Sequence, residues 1–335
     1  MLSSADFVTL PYTPDLTEGG IHYATRSLIY TYDRMGGTPS RRMRRIVAGI
    51  AVELAFRRYL NGQGVTFDVL GSTPFTDPDR YDVSLGGRKV DVKSFLVPAR
   101  RQIRALRAHP EHLLDAEALV PCDQMDNDHA GPHDLFLFAF LLGLTATFPE
   151  ALQRALAAGQ PAYLLHTLPA AWASPLPWHS LGGLILKSET PLALDITLGG
   201  QDAGREFRLT AMQLPPGQRM RCPQEYYNLV FVHTRTLPTL RLGIHSPHLN
   251  DTHIIQPLLS PDGWDNIWVY GMSIVLAGYI TREEFRRKAH RLPKGSQTFL
   301  YDQTRTENFV VPVSALHPVR HLLETALRWQ QEHEH

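Results

Sequence analysis

The sequence predicts an α/β fold with a β-rich insertion or second domain, and three stretches carry that expectation. Residues 81–95, YDVSLGGRKVDVKSF, alternate apolar and polar side chains on both sides of Gly86-Gly87, the pattern of two short strands joined by a two-residue turn. Residues 134–143, DLFLFAFLLG, form a near-continuous apolar run of strand length, as a central strand buried on both faces requires. From about residue 148 to 263, prolines cluster and short strand-like pieces follow one another between turn residues, and helix-and-strand texture resumes afterwards. Texture thus sets residues 1–150 and 261–335 apart from a β-rich insertion or second domain over 151–260.

Taken in chain order, residues 11–20 read as a loop with Pro11, Pro14 and Gly19-Gly20, followed by a helix over 21–34 that ends near Gly36-Gly37. A second helix has Thr38 as its N-cap, Pro39 at its first position and Asn61-Gly62 past its last turn. Met43, Ile46, Val47, Ile50 and Leu54 share one face of it, with Glu53 at the margin. Residues 65–70 predict a strand, 71–80 a loop into the hairpin, and 98–109 a helix stopped by Pro110. Inside the insertion, strands are expected over 163–167, 183–187, 192–198, 205–212, 228–234 and 239–244. The closing part predicts a strand over 266–276 and a helix over 282–290 opened by the capping box from Thr281 to Glu284. A basic turn over 291–296, a strand from Phe309 and a last helix capped by Ser314 and running to Trp329 complete it.

With Gly86-Gly87 as the turn, Val83 faces Val90, Ser84 faces Lys89 and Asp82 faces Asp91. Alternation places Asp82, Ser84, Lys89, Asp91 and Lys93 on one face and Val83, Leu85, Val90 and Val92 on the core face. Like charges directly opposite each other destabilise a sheet unless something neutralises them, and a divalent cation held by carboxylate oxygens would do so. On that ground Asp91→Ala is expected to remove an activity without unfolding the chain, and even to relieve repulsion.

An aspartate followed, across a hairpin, by Asp-x-Lys resembles the PD-(D/E)xK nuclease superfamily. Asp82 stands at its first acidic position, Asp91-Val92-Lys93 matches its D-x-K element, and Tyr81 occupies the place of the usual proline. Residues 49–55, GIAVELA, are similar to the upstream helix that carries a metal-binding or water-orienting glutamate in that superfamily. The resemblance implies a restriction-endonuclease-like mixed sheet and a divalent-metal-dependent nuclease that hydrolyses DNA phosphodiester bonds. It further implies a catalytic set of Glu53, Asp82, Asp91 and Lys93, with Mg²⁺ or Mn²⁺ on Asp82, Asp91 and Glu53, and Gln124 near a phosphate. A role in prokaryotic restriction or antiviral defence, as a homo-oligomer or with partner proteins, belongs to the same expectation. Other readings stay open beside it. Glu53 also reads as a boundary residue paired with Arg57 one turn on, and the chain as a non-catalytic nucleic-acid-binding or assembly subunit or as an RNase of the same superfamily.

Lysine plus arginine equals aspartate plus glutamate at 33 each, so any attraction to DNA has to come from a local patch. Arg100, Arg101, Arg104 and Arg107 recur at helical spacing just after the hairpin and read either as phosphate contacts or as a solvated face. Arg286, Arg287, Arg291 and Lys294 are the next basic group. The polar stretch 121–134 and the histidines His245, His248 and His253 match no ligand spacing of a metal site. Cys122 and Cys222 lie far apart, which suits free thiols in the cytoplasm, and no run of about twenty apolar residues predicts a membrane span. Without a GxSxG, a P-loop or a GxGxxG with an acidic partner, serine hydrolase, NTPase and dehydrogenase chemistry have no support.

Overall fold

A computed structural model describes residues 2–27, 39–71, 81–125, 131–145, 150, 157, 163–234, 241–255, 265–267 and 269–333. The chain divides into two compact units, one of Met1–Gly37, Arg45–Leu144 and Gly271–His335, the other of Thr38–Arg44 and Thr145–Tyr270. In chain order the first part runs β1 (Val8–Pro11), α1 (Pro14–Ser27), α2 (Pro39–Gly62), β2 (Val83–Leu85), β3 (Arg88–Val97), α3 (Arg100–Ala108), β4 (Glu117–Pro121), α4 (Cys122–Met125) and β5 (Leu135–Thr145). The middle holds β6 (Tyr163–Thr167), α5 (Ala170–Ala173), β7 (Ile185–Ser188), β8 (Leu194–Gln201), β9 (Phe207–Leu214), β10 (Arg219–Arg221), β11 (Asn228–Thr234), β12 (Leu242–Ser246), β13 (Asp251–Ile255) and β14 (Asp265–Ile267). The chain closes with β15 (Val269–Thr281), α6 (Arg282–Lys288), β16 (His290–Leu292), β17 (Asn308–Pro312) and α7 (Val319–His333).

The first unit is built on a five-stranded sheet of order β1-β15-β5-β3-β2. β3 runs parallel to β5, whereas β1 and β2 pair antiparallel with β15 and β3, so the sheet is mixed as expected. The apolar run makes β5 the middle strand, and Leu135 through Leu142 are all buried because both faces are covered. Leu135, Leu137, Ala139 and Leu141 pack in one core with Val52 and Phe56 of α2 and Leu322 of α7. Phe136, Phe138 and Phe140 pack in a second core with Ile103 and Leu106 of α3 and Phe285 of α6. The small sheet β16-β17-β4 closes this second core through Leu119, Val120, Val310 and Val311.

Several expected elements differ. α1 begins at Pro14, inside the expected loop, because Gly19-Gly20 serves close helix packing and not a turn. A Cβ on Gly20 would stand 2.7 Å from the Val47 carbonyl oxygen, and one on Gly19 2.6 Å from Leu54 Cδ1, so only glycine lets α1 approach α2. The expected end of that helix and the Thr38 cap lie outside the described residues. The buried face of α2 is Val47, Ala51, Val52, Ala55, Phe56 and Leu60, turned away from the expected stripe, with Ile46 and Ile50 only half-buried. The expected strand at 65–70 is a single bridge between Asp68 and Ser84, and 72–80 lie outside the described residues. Ser314 sits in the short 3₁₀ turn Val313–Ala315, and the last helix starts at Val319, after Pro318. α6 ends at Lys288, and His290 opens β16.

The second unit contains two antiparallel sheets, β10-β7-β12-β13 and β14-β6-β11-β8-β9. Both contribute to one core that holds Leu186, Leu198, Tyr226, Val232 and Ile244, with Trp172 of α5. The six expected strands are present, with ends shifted by a few residues, and β10 and β13 join them.

Candidate active site on strand β3

The hairpin turns at Gly86 and Gly87, with φ of 55° and 71°, the left-handed pair that a two-residue turn between twisted strands requires. Its register is the expected one, Val83 opposite Val90, Ser84 opposite Lys89 and Leu85 opposite Arg88. β2 is only three residues long, so it ends before β3 does. The Asp82 amide donates to the Val90 carbonyl at 3.2 Å, and the Asp82 carboxylate then accepts the Val92 N–H at 2.6 Å. An amide at the open edge of the sheet is thus satisfied by a side chain in place of a strand. Asp82 is thereby engaged by the β3 backbone.

Asp91 and Lys93 project from the face that carries Phe95 and, on β5, Phe136 and Phe138. Lys93 Nζ lies 2.6 Å from Asp91 Oδ1 and donates to Gln124 Oε1 at 2.8 Å. The second Asp91 oxygen faces Arg282 Nη2 at 3.3 Å, and Arg282 Nη1 donates to the Gln124 carbonyl at 3.4 Å. The guanidinium lies 4.3 Å from the centre of the Phe136 ring, a cation–π contact strengthened by desolvation. Arg282 is only 3% exposed. Burial pushes its pKa down, Asp91 and Asp134 push it back up, and among the described residues its buried Nε has no acceptor.

Arg282 stands there because β15 ends at Thr281, whose hydroxyl accepts the Glu284 N–H at 3.1 Å and caps α6. That cap makes Arg282 the first helical residue, and its own N–H donates to the Asp134 carbonyl at the start of β5 at 2.8 Å. Sequence reasoning missed this residue. The available signal was an arginine in the first turn of a capped helix, where the helix dipole disfavours a cation unless a carboxylate is at hand.

Glu53 is not brought to Asp91 and Lys93. α2 covers the Val90 and Val92 face of the sheet, the opposite one, where Gly49 faces Ser94. Glu53 pairs instead with Arg57 at 3.6 Å, and Arg57 donates to the Asp82 carbonyl at 2.8 Å. Of the expected nucleic-acid contacts, Gln124 joins the cluster through Lys93. Arg100, Arg101, Arg104 and Arg107 are all exposed on α3, with Ile103 and Leu106 turned into the core. His245, His248 and His253 go to three separate partners, Thr252, the Ser180 carbonyl and His166.

The donor chemistry of Mg²⁺ or Mn²⁺ is met only in type. Carboxylate oxygens suit such ions, but both Asp91 oxygens face protein cations, Asp82 serves a backbone amide, and Glu53 lies across the sheet. As arranged, the three carboxylates do not fit a divalent ion. Among the described residues, no group of three or more His, Cys, Asp or Glu side chains is placed to hold a metal. No described helix is long and apolar enough to cross a membrane. Compared with protein-family models, with curated proteins and with solved structures, the chain matches none of them.

Proposed function

We propose that the first unit is a phosphodiester hydrolase acting on DNA, with Asp91 and Lys93 at its reacting centre. The observation that carries this reading is a polar cluster, Asp91 and Lys93 on β3 with Gln124 of α4 and Arg282 of α6, at a sheet face whose other residues are apolar, Phe95, Phe136, Phe138 and Val97 among them. Apolar side chains of similar volume usually fill such a place without loss of stability, so a charged network there argues for use in chemistry. A phosphodiester is anionic, and its transition state gathers charge on the phosphoryl oxygens. Lys93 supplies a compact positive charge for them, and Arg282 a planar fork. Asp91 holds both cations at one point and accepts hydrogen bonds from them. The hairpin register and the mixed sheet support the resemblance to PD-(D/E)xK nucleases and their restriction-endonuclease-like fold, which belongs to this proposal, whereas the upstream helix carries Glu53 on the other face of the sheet.

End-labelled duplex DNA incubated with the purified chain, with Mg²⁺ or Mn²⁺ added and again with a chelator, tests the reading. Cleavage is expected from the wild type and absent in Lys93→Ala protein that melts like the wild type. A second reading, a nucleic-acid-binding subunit without turnover, is favoured by one observation: two protein cations already neutralise Asp91. It predicts binding and no cleavage under either ion.

A further inference from the structure

In the sheet β10-β7-β12-β13 of the second unit, period-two alternation separates a core side from an outer side. Leu186, Leu242, Ile244 and Ile255 enter the core, so Lys187, Arg219, Arg221 and Arg241 share the outer side, where all four are exposed. Arg219 lies directly across from Lys187 on the neighbouring strand, and Arg221 across from Ile185. Like charges placed opposite each other work against a sheet. Among the described residues, none of these four cations is joined to a carboxylate, although Glu189 stands nearby.

Gly243 pairs with Lys187 from the other side and contributes no side chain, which leaves a groove of about 460 Å³ between Arg219, Lys187 and Arg241. His245 lines its far wall, its ring fixed by a 2.9 Å hydrogen bond between Nδ1 and Thr252 Oγ1. The rest of the described lining is Glu189, Ile185, Ile254 and Thr252, so one carboxylate stands among the cations and the His245 imidazole is the one aromatic ring among the described residues.

We infer that this groove binds the sugar–phosphate backbone of duplex DNA. Strand spacing and two-residue steps spread the cations over a field roughly 7 by 10 Å, more than one phosphate fills and suited to a run of backbone charges. Among the described residues the groove offers no phenyl, phenol or indole ring on which unstacked bases would stack, and the His245 imidazole is held by Thr252, so its contacts are to phosphates and independent of sequence. The chain has no net charge, so long-range attraction to DNA has to come from such a face. The choice of DNA over another polyanion rests on the function proposed for the first unit.

The test is the salt dependence of binding to a labelled mixed-sequence duplex, measured by fluorescence anisotropy on the full chain carrying Asp91→Asn to prevent cleavage. Adding Lys187→Ala, Arg219→Ala and Arg241→Ala should flatten the slope of log affinity against log salt by about 0.9 per lost contact, ~2.7 for the three. The charge-keeping set Lys187→Arg, Arg219→Lys and Arg241→Lys should leave the slope within about 0.5 of the parent's, below the loss of a single contact. An unchanged slope in alanine-substituted protein with an unchanged melting temperature overturns the inference, as does full competition by millimolar inorganic phosphate, which would mark a single-anion site. The two readings fail separately. Intact cleavage by the wild type with an unchanged slope refutes the groove alone, and a flattened slope with no cleavage refutes the hydrolase alone.

Discussion

Asp91 is the residue on which the first unit's polar chemistry turns. Sequence alternation predicts it beside Asp82 and makes its removal harmless or helpful. The structure reverses the sign, because Asp82 is engaged by the Val92 amide while Asp91 lies between Lys93 and the buried Arg282. Asp91→Ala removes the carboxylate paired with the buried Arg282 and leaves it the weaker attraction of Asp134, so we predict a loss of about 2–3 kcal/mol in unfolding free energy. Asp91→Asn, which keeps one acceptor oxygen, should lose less. Urea titrations with equal slopes for the two variants would check this, and a gain in midpoint for Asp91→Ala would contradict it. Asp82, Asp91 and Lys93 were legible in the sequence because period two and a Gly-Gly turn set their register without any distant information. Arg282 was not, since it meets Asp91 across 191 residues of chain.

The hairpin and the two helices after and before it show how far local patterns reach. Gly86 and Gly87 both have positive φ, and a Cβ on Gly86 would stand 3.0 Å from the Ala326 backbone of α7. Gly86→Ala should therefore destabilise by about 2 kcal/mol, through left-handed strain and crowding together, and Gly87→Ala by about 1 kcal/mol, as thermal melts would read. On α3, Ile103 and Leu106 fix which side faces the core and leave the arginines in solvent. If they contact DNA phosphates, Arg104→Ala with Arg107→Ala lowers the salt slope of binding by about one unit per lost contact, in folded protein. An unchanged slope returns them to the role of a solvated face. α1 was misread for a physical reason: glycine in a helix lowers its intrinsic propensity, and only the close approach of α2 offsets that. Small residues turned α2 as well, for Ala51 and Ala55 are fully buried where larger Ile46 and Ile50 are not.

Across the whole molecule, the texture of the sequence separates two kinds of packing. β5 was legible because a strand covered on both faces is apolar at every position, and the sheets of the second unit because short strands recur between turn residues. β10 escaped notice because its outward positions, Arg219 and Arg221, are charged, the same property that builds the basic groove. Glu53 was assigned by resemblance to a site on the far side of the sheet, which side-chain direction along a strand decides and composition does not. We propose that the first unit hydrolyses DNA at Asp91 and Lys93. Single-turnover cleavage of end-labelled duplex by the wild type and by Asp91→Asn, at matched folded concentration, tests it most directly. Fragments are expected from the wild type and at least a hundredfold slower cleavage in the variant, about 2.7 kcal/mol of transition-state stabilisation. Equal rates in the two proteins, or none in either, would contradict it.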